Sequence, residues 1–352
     1  MPRRECLAPH PTRSCAGSLA LRDSIGQALN RRRGQLAPLD RLWLDYQLAY
    51  YGGDNHSALE AMRRFVEIAP GSEFLYKAGH AALWADRPRE AVEFLTQADP
   101  ESGWLRGWSP YWFDLTLAYH MLGDHERELD AARRARRLFP DNFLTKATES
   151  WALAALGRTD EVHALLEEGQ ETGLALATAR ELLVHDHPEA ASQVLDRGIM
   201  RHQAWLSTLP TDTTSRQIDG GIRTLADMLV LHGRVDEARV VLERAVEERG
   251  DTPFRRVYVG TLGVIAGMQG DRQRAWEIYR DLGARPWDGR WSQALWQARI
   301  AASLGEIDRA TVLLREAVGK GWPVIAIHYQ SPLLWRVLRD YPPFQELIRP
   351  KG

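Results

Sequence analysis

The chain has 352 residues, 44% apolar and 26% charged, enough to bury a sizeable core and unlike the compositions of collagen-like or disordered chains. A formal net charge of −2 and a pI near 6.6 exclude a global field that would gather nucleic acid or an acidic membrane surface. Two cysteines, Cys6 and Cys15, are too few for a disulfide framework.

Residues 1–17 hold Pro, Arg and Ser without apolar periodicity and read as a disordered start. Arg3 and Arg4 are followed by no continuous apolar stretch, so a secretory leader is not expected. No later segment approaches 18 uncharged apolar residues, and the chain is expected to be a soluble, cytoplasmic protein with no membrane partner.

From there the sequence is punctuated. A turn, usually Gly followed by a polar residue, precedes an Ala-containing amphipathic run at Gly53, Asp86, Gly123, Gly157, His185, Gly233, Gly270 and Gly305, and several intervals lie close to 34 residues. Around Gly123 the pattern is clear. Trp112, Leu115 and Tyr119 keep helical spacing before the turn, and Leu129, Ala132, Ala135 and Leu138 keep it after. Gly123 suits a helix stop, Asp124 a helix start, and Pro140 ends the second helix. Each unit is therefore predicted to be helix, tight turn, helix, and one such pair cannot bury its apolar stripe without a neighbour. The interval between His185 and Gly233 is longer. Its Thr-, Ser- and Gly-rich part, residues 206–221, is expected to be an irregular linker between one sub-array over 18–205 and a second over 222–320. A shorter irregularity is expected at "ARPWDGRW", and residues 321–352, with Pro342 and Pro343, are expected to cap the open end.

These residues resemble the tetratricopeptide repeat. The unit from Ser109 to Asn142 matches that family at Trp112, Leu115, Tyr119, Ala135 and Pro140, but has Thr116 where a small residue is usual and Glu128 where Ala is usual. The unit around Leu262 and Gly263 carries Ala266 and Ala275, the first matches at Ala58, Phe65 and Pro70, and the sixth at Leu225, Ala226, Ala238 and Ala245. The likeness covers roughly residues 38–320. It implies an all-α fold: a right-handed superhelical α-solenoid of about eight antiparallel helix pairs. The C-terminal stretch also resembles repeat regions of bacterial signalling proteins such as serine/threonine kinases and winged-helix regulators. No kinase motif is present, so an effector domain would be another chain or a part preceding this sequence.

Catalytic motifs are missing: HExxH, GxSxG, GxxxxGK[ST], CxxC and GxGxxG do not occur, and no enzymatic activity or cofactor is expected. The glycines of "GVIAGMQG" are expected to let helices approach closely. His185, Asp186, His187 and Glu189 fall within five residues, but no second cluster along the sequence completes a ligand set, so no metal is expected. A polar turn with Pro188 opening the next helix explains them, and His120 and His125 are read in the same way. Arg133, Arg134, Arg136 and Arg137 form a candidate anion-binding patch; they also occupy what the packing face leaves over, and a solvated outer face is the preferred reading. Nearby Glu126, Glu128 and Asp130 weigh against a nucleic-acid partner.

The family's register places Tyr76, His80 and Trp84 of the second unit and Phe113, Leu117 and His120 of the third on the concave groove. Aromatic and His side chains in a concavity suit capture of a peptide or another protein. The family's carboxylate clamp, with Lys, Asn and Arg at set positions, is not matched, because Tyr76, His80, Phe113 and Leu117 stand there. The expectation is a non-catalytic interaction scaffold or regulatory module; the alternative is a solenoid that senses a small molecule or peptide.

Overall fold

A computed structural model describes residues 24–351 apart from 72, 169–171, 211, 251–253, 285–291, 323 and 325–331. The expectations for residues 1–17 and for most of "ARPWDGRW" fall outside these. The described secondary structure is entirely helical, in eight pairs. They are α1 (Pro38–Gly52) with α2 (Asn55–Ile68), α3 (Leu75–Trp84) with α4 (Pro88–Gln97), α5 (Ser109–Met121) with α6 (His125–Leu138), and α7 (Phe143–Ala155) with α8 (Thr159–Glu168). After these come α9 (Thr172–Val184) with α10 (Pro188–Ser207), α11 (Ser215–Leu231) with α12 (Val235–Glu248), α13 (Arg255–Met268) with α14 (Arg272–Ala284), and α15 (Ser292–Ser303) with α16 (Ile307–Gly319). Two short helices follow, α17 (Pro332–Trp335) and α18 (Pro342–Ile348).

All eight predicted turns fall between the two helices of a pair. Each holds one residue in the left-handed region, with φ between 60° and 84°: Gly53, Asp86, Gly123, Gly157, Asp186, Gly233, Gly270 and Gly305. Six are glycine, which adopts this conformation without a Cβ clash. Asp86 and Asp186 adopt it with a side chain attached.

From the second pair onward the first helices of successive pairs touch one another, and each second helix packs on the first helices beside it. The first helices therefore line the inner side of the curve. Small residues set how closely they approach. A Cβ on Gly263 would lie 2.7 Å from Ile300 Cδ1 and 2.9 Å from Ile278 Cγ2, which accounts for the glycine run of α13.

Residues 206–221 are not a linker between two arrays. α10 runs on to Ser207, and α11 starts at Ser215 behind a capping box in which Thr214 Oγ1 accepts from the Gln217 N–H and the Gln217 side chain accepts from the Thr214 N–H. The core continues across the connection, where Leu195 and Ile199 join Leu225, Met228 and Leu229. Polar composition signalled the helix cap, not a break in packing. The C-terminal segment is also more than an end cap. α17 packs on α15 and on α9, and Trp335, Leu338 and Phe344 are buried.

The two ends of the array meet. A Cβ on Gly321 would come within 2.7 Å of Gly53 Cα, and the Lys351 N–H donates to the Asp86 carbonyl at 2.7 Å.

Candidate functional site

Three groups of side chains lie on the inner helices or at the turns and second-helix starts beside them. The first is aromatic. Tyr46 stacks on Tyr50 at 5.6 Å between centroids, and Tyr50 meets His80 and Trp84. His80 Nδ1 donates to Asp114 Oδ2 at 2.7 Å, and its Nε2 lies 3.3 Å from the Tyr50 hydroxyl. Lys77 sits over the Tyr76 and Trp104 rings, and burial lowers its pKa against the opposing pull of Asp114.

Of the residues expected on the groove, Trp84, Phe113, His80 and His120 are half-buried. Tyr76 and Leu117 do not present surface: they are 3% and 4% exposed. Tyr76 lies against Tyr111, Trp104 and His80, and its hydroxyl is pushed well above its ordinary pKa, chiefly by burial. The inner helices pack directly on one another, so part of the register that faces a groove in a more open array is consumed here by the interface between units. Phe113 meets Trp151 edge-on at 6.3 Å.

The second group joins the third pair to the fifth. His120 lies in the last turn of α5, His125 and Glu128 open α6, Glu181 lies in the last turn of α9 and His185 follows it. His120 Nδ1 is 3.0 Å from Glu128 Oε1, and His125 Nδ1 is 2.9 Å from Glu128 Oε2. Glu128 and Glu181 are 0% and 1% exposed. Burial alone would lower the His120 pKa, but the Glu181 and Glu128 carboxylates outweigh it and hold the imidazole at about 9. Burial, with His125 and His120 alongside, takes His185 down to about 4. The intervening α7 ends in Ala152-Leu153-Ala154-Ala155, small enough for groups two units apart to meet.

The third group is cationic. Arg180 Nη2 lies 3.3 Å from Asp227 Oδ2 and Arg223 Nε lies 3.9 Å from the same oxygen. Arg299 stacks on Trp296 at 4.7 Å, and its Nε makes no hydrogen bond among the described residues. Burial lowers the Arg299 pKa to about 10; Asp227 opposes this, and Arg180 and Arg223 add to it.

The arginines of α6 are mostly spent on the protein itself. Arg133 pairs with Glu149 and Glu161, Arg136 with Glu149 and Glu168, and Arg134 with Glu101 while lying over Trp112; Arg137 is exposed. Carboxylates on neighbouring elements neutralise that patch, which the sequence run of arginines alone does not reveal. The inner arginines and Glu181 carry no sequence signal, since they lie on three different helices and no local run of like charge marks them.

Repeated helix pairs, left-handed turn residues and a continuous inner row of first helices define an all-α, tetratricopeptide-like solenoid. No protein-family model matches the chain, and no curated protein matches it. Among solved structures it is similar to a tetratricopeptide repeat protein from Parabacteroides merdae ATCC 43184, at 13% identity over 86% of this chain and 97% of that one, with a TM-score of 0.38. It is also similar to a Rap protein complexed with Competence and Sporulation Factor, at 10% identity over 95% of each chain with a TM-score of 0.38. A third, the apo form of RapI, is 11% identical over 90% of this chain and 94% of that one, with a TM-score of 0.37. No helix among the described residues is long and apolar enough to cross a membrane.

Proposed function

We propose that the chain is a non-catalytic interaction scaffold or regulatory module that takes a protein or peptide partner on the inner face of its solenoid, in a bacterial signalling setting in the cytoplasm. The observation that carries this reading is the cationic excess inside the curve: three guanidiniums, Arg180, Arg223 and Arg299, are drawn to the carboxylate of Asp227, and among the described residues Glu181 adds a second carboxylate beside Arg180. Guanidinium groups grip carboxylates through two parallel hydrogen bonds. A peptide offering an acidic side chain or a terminal carboxylate fits that excess charge, and the half-buried Trp84 and Phe113 supply apolar contacts further along the same face.

Affinity capture with the full chain tests this, comparing wild type with Arg299→Gln and with Trp84→Ala, Phe113→Ala, after circular dichroism shows equal helicity. Retention of a partner by wild type and its loss from both variants is the expected result. Capture of the same partners by all three proteins sinks the inner-face assignment. The same arginines also favour a second reading, sensing of a small anionic ligand, for which a thermal shift on ligand addition that is absent in Arg299→Gln is the signature.

A further inference from the structure

The group joining the third and fifth pairs has the donors of a metal centre. His120, His125 and Glu128 each bring one ligand atom within 4.8 Å of the other two. Glu181 approaches the same place from α9: its Oε2 accepts no hydrogen bond among the described residues although the residue is 1% exposed, and it lies 3.5 Å from His120 Nε2 and 3.7 Å from His185 Nε2. A buried carboxylate oxygen without a partner carries a desolvation penalty that a cation would relieve. The rings converge as well. His125 and His185 lie 5.1 Å apart between centroids, His120 and His125 5.5 Å, and His120 and His185 6.4 Å.

We propose that His120, His125, Glu128, Glu181 and His185 form a binding site for a divalent transition-metal ion of the zinc class. Imidazole nitrogen and carboxylate oxygen are the donors that zinc accepts, usually four of them, whereas an all-oxygen set would be expected for calcium or magnesium. The ligands missing from the His185–Glu189 stretch are supplied by the third unit, brought alongside by the curvature of the array. The ion ties α5 and α6 to α9 across the fourth pair, so it acts as a staple that fixes the local curvature of the inner face. Glu181 adjoins Arg180 of the arginine group, but none of those arginines is a donor to the metal, so the site does not depend on the partner-binding reading.

The test is direct titration of Zn²⁺ into the full chain after treatment with a chelator, followed by calorimetry, elemental analysis and thermal melting, with Co²⁺ as a spectroscopic substitute and Mg²⁺ as control. One Zn²⁺ per chain is expected, with a rise in melting temperature and no response to Mg²⁺. His125→Ala and His185→Ala, at half-buried positions beside turns, should keep the helical signal and bind at least about tenfold more weakly. Glu181→Gln keeps the side-chain shape and should also weaken binding and reduce the thermal shift. No stoichiometric zinc and no thermal shift in wild type would overturn the proposal, as would equal binding by wild type and the two histidine variants.

Discussion

Asp86 is the second turn's counterpart of glycine, and replacing it should stabilise the protein in a pH-dependent way. Its carboxylate is 3% exposed, neither oxygen has a hydrogen-bond partner among the described residues, and burial raises its pKa from 3.8 to about 7, with Lys351 only partly opposing this. The folded state therefore holds a proton that the unfolded chain has already released. Below pH 3.8 both states are protonated and there is no penalty; the penalty grows as pH rises and is complete above about pH 7. At ~1.4 kcal/mol per pH unit of separation, it amounts to about 4 kcal/mol at pH 8 and about 1.5 kcal/mol at pH 5. Asp86→Asn removes the titration while keeping the shape and a residue tolerant of positive φ. Asp86→Gly removes the titration and the left-handed strain as well. Urea denaturation of wild type and both variants at pH 5 and pH 8 reads the effect as a difference, so titrations common to all three cancel. The stability gap in favour of Asn should widen by about 2–3 kcal/mol between the two pH values. An equal gap at both, or a gap that narrows at pH 8, refutes the reasoning.

Thr214→Ala removes the capping box that starts α11 and should cost about 1 kcal/mol in chemical denaturation, with little change in helical signal. Gly198→Ala places a Cβ 2.6 Å from Ala175 Cβ and 3.3 Å from Met228 Sδ, so it should destabilise the whole chain by about 1–3 kcal/mol. If the same substitution lowered stability only up to residue 205 in a hydrogen-exchange map, the core would not be continuous across the connection. Deleting residues 332–352 strips away buried Trp335, Leu338 and Phe344 and should lower stability by about 5 kcal/mol or more. A truncated chain that melts like wild type contradicts that packing.

Much of the architecture was readable because helix pairs leave local marks. Gly53, Gly123, Gly157, Gly233, Gly270 and Gly305 mark their turns by composition, and Asp86 and Asp186 sit in the same phase. The site was legible only in fragments. Glu128 stood out as a departure where the repeat family has Ala, and His185 as part of a dense polar turn, yet nothing local says that they meet. Periodicity tells which side of a helix is apolar; it does not tell which units the curvature brings together. For that reason the repeat register places Tyr76 and Leu117 on a groove although neighbouring helices cover them, and it gives no sign that Arg180, Arg223 and Arg299 gather on the inner helices. The α6 arginines misled in the opposite sense, because their carboxylate partners come mostly from other helices.

The meeting of Gly53 with Gly321, and of Asp86 with Lys351, alters how this molecule comes apart. A linear stack frays from its tips, since a terminal unit has one neighbour and an inner unit two. Here the first and last units lean on each other, so neither is a free tip, and the stack behaves as a hoop. Losing one link in a hoop exposes two new ends at once, which raises the penalty for the first opening and lowers it for each that follows. Gradual peeling from a tip is thereby disfavoured relative to an open stack of the same units.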